Sequence, residues 1–284
     1  MVSTVGEYAN PNVLVSLAVE AEAHGWQGFF LNDYLLYRRD PPIAVTDTWV
    51  AMAAIAAKTR SIVIGPMVTA LARRDPWIVA KQLVALQQLA PGRVRFGAGV
   101  GGPADADFGA FGHETSYNGR RDRMVEALGL LRQFLNGIPA RQVGTFHRVE
   151  AVRLLPLPTT PIPVWVGGYW PGRSVLRLAG MVDGVFPEKR DGHLTPDDVT
   201  RIRTTLDGDA RFQGSKVELI VEGRTDPDGP GAAGFAEAGA DWFLEYVGWR
   251  RGGLATAFER IRQGPAGDGA RTPVLPAKPC GEGE

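Results

Sequence analysis

Short apolar, β-prone runs alternate with amphipathic stretches along most of the chain. The first run is Val2 to Val5, and Asn10-Pro11 then opens a helix with Val13, Leu14, Leu17, Ala18 and Ala21 on one face. Asn10 suits the N-cap and Pro11 the first helical position, and the pattern stops at His24-Gly25. Gly28-Phe29-Phe30-Leu31 is apolar throughout, as a strand covered on both faces is, and it runs into polar Asn32-Asp33. The same unit recurs, with further strands expected over 61–68, 94–99, 162–166, 184–187, 217–221 and 242–247. Helices are expected between them. Thr46 or Asp47, Asp75-Pro76 and Thr195-Pro196 serve as start signals, and Gly92 lies just past one end.

Eight strand–helix units with no tight hairpin imply an all-parallel sheet with helical crossovers, and eight is the number that closes an α/β barrel of the TIM (β/α)8 type. Successive strand starts lie 22 to 33 residues apart except after strand four, where the gap is 68. This insertion, residues 102–160, holds a Gly-rich loop, a long helix over about 118–135 and a Pro-rich stretch around Leu154-Leu155-Pro156-Leu157-Pro158. Loops that follow strands lie on the catalytic face of such barrels, so the insertion is expected to wall the site. Residues 1–264 read as one domain and 265–284 as a disordered tail. The first strand is short for a barrel, which predicts weak closure there.

Composition narrows the class. Glycine supplies 36 of 284 residues, well above the average of about 7%, yet there is no Gly-X-Y period and 44% of residues are hydrophobic. Collagen and simple disorder are excluded, leaving many tight turns or many close backbone approaches. The 31 basic residues equal the 31 acidic ones, so no net field gathers nucleic acid or a membrane, and a small-molecule partner is favoured. No run approaches the roughly 18 apolar residues of a membrane span, and a cytoplasmic protein is expected. The one cysteine, Cys280, lies in the tail, and His24, His113, His147 and His193 show no ligand spacing, so no metal is expected.

Candidate chemistry is sought at the strand C-termini. Glycines or aromatic residues stand at most of them, including Gly6, Gly99, Gly101, Gly102, Gly167, Gly168, Tyr169, Trp170 and Gly223, which suits a flat ligand approached by backbone. Gly167-Gly168 precede a helix with Arg173 on its first turn, either an anion site for a cofactor phosphate or a plain turn. Asp33 offers acid–base chemistry or a bond to its own turn, and Tyr34 a hydrogen bond. His113-Glu114 either reach the site or form a solvated loop pair. Gly97-Ala98-Gly99-Val100-Gly101-Gly102 matches G-x-G-x-x-G, so an NAD(P)-dependent Rossmann dehydrogenase is an alternative; however, no helix is expected directly at the glycines, and three units precede them.

From Gly6 to Pro265 the chain resembles the bacterial luciferase-like flavin and F420-dependent oxidoreductases. The resemblance rests on motifs in order: 21–33 (AEAHGWQGFFLND), 59–69 (TRSIVIGPMVT), 73–77 (RRDPW), 91–99 (PGRVRFGAG), 163–171 (PVWVGGYWP), 183–187 (DGVFP) and 236–242 (AEAGADW). It implies a TIM barrel that binds reduced FMN or coenzyme F420 at its C-terminal mouth, commonly as a homodimer. Met67, Val68 and Thr69 would lie against the ring, with a non-proline cis peptide there in some deazaflavin members, and Gly167-Gly168 would help hold the phosphate. The expected function is a monooxygenase-like oxidoreductase acting on a small organic substrate, with Asp33 and Tyr34 near the reacting ring. Many relatives carry Asp-His where this chain has Asp33-Tyr34, and sugar-phosphate-oxidising members carry a catalytic Glu where it has Gly102. A non-catalytic or degenerate flavin-binding member is the alternative those departures raise.

Overall fold

The computed structural model describes residues 1–172, 176, 178–209, 216–225 and 231–265. Its strands are β1 (Gly28–Leu31), β2 (Val63–Pro66), β3 (Thr69–Ala70), β4 (Phe96–Gly99), β5 (Ala140–Val143), β6 (Arg148–Val152), β7 (Val164–Tyr169), β8 (Gly184–Glu188), β9 (Glu218–Gly223) and β10 (Trp242–Glu245). The helices are α1 (Pro11–Ala23), α2 (Thr48–Lys58), α3 (Pro76–Leu89), α4 (Ala104–Asp107), α5 (Tyr117–Leu135), α6 (Pro196–Asp207), α7 (Gly231–Glu237) and α8 (Leu254–Arg262). The expected 265–284 tail falls almost entirely outside the described residues, as do residues 173–175 and 177 of the helix expected after β7.

Start signals act largely as read. Asn10 Oδ1 accepts from the Asn12 amide at 3.0 Å, Asp47 Oδ1 from the Val50 amide at 2.8 Å, and Thr195 and Asp198 form a reciprocal capping box. Asp75 holds the cap position of α3 without making the side-chain bond, so Pro76 at the first turn carries that start.

The parallel strands close into a TIM barrel. β3, β4, β7, β8, β9 and β10 pair in that spatial order, β1 pairs with β2, and bridges from Ile64 to Val94 and from Val2 to both Leu31 and Val247 join the ends. Val2 donates its N–H to the Phe30 carbonyl at 2.7 Å, Asn32 donates to the Val2 carbonyl at 3.3 Å, and Ser3 donates to the Val247 carbonyl at 3.0 Å. The expected weak closure is therefore corrected: the first segment is short, but its backbone groups bond to both neighbours. Closure also removes the Rossmann alternative, which needs an open sheet with a helix springing from its glycines.

Two cores flank this wall. The outer one lies between strands and helices, and the inner one gathers Phe30, Val63, Met67, Trp165, Phe186, Ile220 and Leu244. Phe30, Trp165 and Trp242 meet with centroids 5.5 to 5.9 Å apart, plugging the barrel. Glu218 is saturated inside that plug, accepting from Trp165 Nε1 at 2.7 Å and Trp242 Nε1 at 3.3 Å.

The insertion differs from expectation. Residues 102–116 are not plain loop: they contain α4 and a 3-10 turn, Gly109–Phe111. Helix α5 packs beside α3 and so takes a place in the outer ring. β5 and β6 form an antiparallel hairpin, where no hairpin was expected. Its turn is clasped by Glu126 of α5, which accepts from the amides of Thr145, Phe146 and His147 and binds His147 Nδ1 at 2.9 Å. The Pro-rich stretch follows α3, with Lys81 Nζ donating to the Leu155 carbonyl at 2.7 Å and Gln87 Nε2 donating to Thr160 Oγ1 at 2.6 Å. The rear of the insertion thus clads the outside of two helices, and residues 102–116 are the part left at the strand C-termini. Among the described residues no helix is long and apolar enough to cross a membrane.

Candidate active site

Alternation along a strand sends every second residue toward the barrel axis. Phe186, Ile220 and Leu244 belong to the inner core; two residues on, the same parity turns Glu188, Glu222 and Tyr246 inward at the mouth. On the opposite wall Asn32 Nδ2 donates to the Met67 carbonyl at 3.1 Å, while its own carbonyl accepts from Thr48 Oγ1 at 2.5 Å and Thr4 Oγ1 at 3.2 Å. The Met67–Val68 peptide so held is cis, the bond the resemblance implies for some deazaflavin members.

Val68 explains several glycines. A Cβ on Gly167 would lie 3.2 Å from Val68 Cγ1, one on Gly97 3.3 Å from the same atom, and one on Gly99 would overlap Val68 Cγ2 outright. These positions receive the Val68 side chain as well as thinning the wall. Gly101, at φ +82°, turns the chain beneath Phe108. Gly168 faces away from the axis beside Pro187, and Trp170 packs on the outer core, whereas Tyr169 faces in. Arg173 lies outside the described residues.

Asp33 is buried and fully occupied. Oδ1 accepts from Arg74 Nη2 at 3.0 Å and lies 3.6 Å from Arg73 Nη2; Oδ2 accepts from Thr69 Oγ1 at 2.8 Å and Trp49 Nε1 at 3.3 Å. Arg73 Nε continues to Asp107 Oδ2 at 2.8 Å, and Asp107 Oδ1 accepts the amides of Leu35 at 2.6 Å and Leu36 at 3.0 Å. This network ties the loop after β1 to β3 and α4. It also spends the Thr69 hydroxyl on Asp33 rather than on the mouth. Tyr34 stacks edge-on against Tyr37 at 5.1 Å, and burial first, then the negative side of Tyr37 and Glu188, pushes its hydroxyl further up. It is a hydrogen-bond donor there and not a base.

Four arginines stand around the rim, each over an aromatic ring. Arg120 covers Phe108 at 4.8 Å, Arg190 covers Tyr169 at 4.4 Å, Arg224 covers Tyr246 at 5.6 Å and Arg250 covers Trp249 at 5.3 Å. None has a carboxylate within ion-pair distance among the described residues. Glu188 and Glu222 are their counterpart inside the mouth: neither carboxylate has a hydrogen bond or ion pair among the described residues. Burial, then the charge of Glu222, lifts Glu188 to about 7; burial lifts Glu222 too, against Met1, Arg224 and Arg250. His113 and Glu114 are exposed, with Glu114 Oε1 accepting the Ser116 amide at 2.6 Å, which is the solvated-pair reading.

Sequence reasoning singled out Asp33, Tyr34, Met67, Val68 and the glycines; it placed Glu188, Glu222 and Tyr246 at strand C-termini without giving them a role, and it missed the Asp107 link. The two glutamates were legible in principle, because inward Phe186 and Ile220 fix the parity that carries them inward. Asp107 was not, since its partners come from distant parts of the chain.

Residues 2–211 match the family model described as luciferase-like monooxygenase. Similar curated proteins include an F420-dependent glucose-6-phosphate dehydrogenase of Nakamurella multipartita, 28% identical over 184 residues, 63% of this chain and 52% of that protein. An F420-dependent hydroxymycolic acid dehydrogenase of Mycobacterium tuberculosis is 32% identical over 182 residues, 63% of this chain and 49% of that one. The chain spans about half the length of these curated relatives. A solved F420-dependent secondary alcohol dehydrogenase, in complex with an F420-acetone adduct, matches with a TM-score of 0.73 at 18% identity, covering 89% of this chain and 94% of that chain. That likeness is one of fold.

Proposed function

The chain belongs to the luciferase-like monooxygenase family, and from that membership we propose that it is an oxidoreductase using coenzyme F420 or reduced FMN on a small organic substrate, as a homodimer in the cytoplasm. The observation that carries the reading is the built mouth: a glycine-thinned wall around Met67–Val68 facing an aromatic floor, under a rim of arginines without carboxylate partners.

That donor set fits the group. A planar ring needs flat apolar walls, which Val68, Gly99, Gly101 and Gly167 supply, and a phosphate or an acidic tail needs cations with free charge, which Arg190 and Arg224 supply. Both curated relatives above are named as F420-dependent, which favours the deazaflavin. When bound, the ring supplies hydride transfer, and for FMN also oxygen activation. The chain's own residues do the rest. Asn32 and the Asp33–Arg73–Asp107 network hold the Met67–Val68 wall and the loop carrying Tyr34, Tyr34 donates a hydrogen bond to substrate oxygen, and Tyr169 and Tyr246 shape the mouth. Gly102 stands where sugar-phosphate-oxidising members carry glutamate, so a simpler carbinol or carbonyl compound is the better substrate class.

Calorimetric titration with F420, FMN and reduced FMN tests this reading. Stoichiometric binding of one of them is expected, and binding of none would overturn it.

A further inference from the structure

We propose that Glu188, paired across neighbouring strands with Glu222 and facing Tyr34, is the catalytic base of this mouth, the acceptor of the proton on a substrate hydroxyl. The inference rests on the oxidoreductase reading above. Oxidation of a carbinol sends the C–H electron pair, as hydride, to the deazaflavin ring, and the hydroxyl proton must go to a base as the C=O bond forms. The two groups that the resemblance offers for proton work are Tyr34, where histidine is common, and Gly102, where glutamate is found. Neither is a base here.

The carboxylates of the barrel separate sharply by partner. Glu218 is held by two tryptophans, Asp33 by Arg73, Arg74, Thr69 and Trp49, and Asp107 by Arg73 and two amides. Glu245 faces the other way and is held by Arg251, by Arg260 at 3.5 Å and by Thr225 Oγ1 at 2.7 Å. Glu188 and Glu222 have none of this, although they stand at the C-terminal ends of β8 and β9. The register pairs Gly184 with Glu218 and Val185 with Leu219, and carried up the strands it sets Glu188 beside Glu222. Tyr169 flanks Glu188 directly across β7.

The charged and titratable groups acting on the pair are Tyr34 from the loop after β1, Tyr246 and Arg250 beyond β10, Arg224 beyond β9, and the Met1 amino group. None of the cations forms an ion pair with Glu188. Burial first, and then the like charge of Glu222 on the neighbouring strand, disfavours the ionised form, so Glu188 keeps its proton until near neutrality. A glutamate in that state is a far better proton acceptor than one at the ordinary 4.5.

Carbon-detected titration of protein labelled at the glutamate carboxyl carbon tests the pair without turnover. One resonance is expected to titrate near pH 7, to vanish in Glu188→Gln, and to move to lower pH in Glu222→Gln. With F420 and 2-propanol as probes, Glu188→Gln should slow ring reduction about 100-fold or more and abolish the rise of rate with pH. Its F420 affinity should stay within about threefold of wild type, the margin that separates a base from a binding residue. Both glutamates titrating in the ordinary range, or Glu188→Gln keeping the wild-type rate and pH profile, would overturn the assignment. Wild-type protein that binds neither cofactor would instead strike the oxidoreductase reading, and the carboxyl titration would still decide the pair.

Discussion

Asp33 divides its two oxygens among Arg73, Arg74, Thr69 and Trp49, so deleting the carboxylate leaves buried arginine charge uncompensated. Asp33→Ala is expected to lower stability by about 3 kcal/mol in urea unfolding, and a loss below about 1 kcal/mol would mean that the network is ornamental. Glu188 acts in the opposite sense. Its folded pKa lies above its unfolded one, so the native state holds more protons between about 4.5 and about 7, and stability falls as pH rises through that window. Glu188→Gln should therefore be more stable than wild type at pH 8 and little different at pH 4, a crossing that melting curves at the two pH values can check. The position of Asp33 was legible because a buried apolar run ended there. Its role was not, because Arg73, Arg74 and Asp107 reach it only through the fold.

At the scale of elements, the interrupted strand β2–β3 and the glycines of β4 and β7 form one fitted unit. Val68 leans into the room left by Gly97, Gly99 and Gly167. Gly99→Ala should destabilise by about 1–3 kcal/mol through overpacking, and adding Val68→Ala should recover at least half of that. Additive losses in the double mutant would show that the two positions are not coupled. Arg93 ties helices to strands in a similar way, with Nη1 donating to the Ile62 carbonyl at 3.1 Å and Nη2 to the Ala56 carbonyl at 3.0 Å at the end of α2. Helices and parallel strands were legible because periodicity and caps are local. The β5–β6 hairpin was missed because alternation there is weak, and its hold comes from Glu126 on a neighbouring helix.

Across the whole molecule, a ring of parallel strands is closed by the short first segment, in which Val2 bridges to both Leu31 and Val247. The bonds that segment makes to both neighbours predict a specific dynamic signature. The amides of Val2, Ser3 and Val247 should exchange with solvent only as slowly as those of β7 and β8, and rapid exchange at Val2 alone would mean that the seam opens on its own. Barrel class followed from counting units, since eight strands with helical crossovers leave few other solutions. The placement of the insertion did not, because sequence order says nothing about which side of a helix a following chain returns along. In the proposed function a flavin or deazaflavin ring settles against the Met67–Val68 wall. Methyl-labelled valine spectra recorded while F420 or FMN is added test it most directly. The Val68 methyl resonances should shift saturably while those of exposed Val143 on the outer hairpin stay still, and saturable binding that leaves Val68 unmoved would place the ring elsewhere.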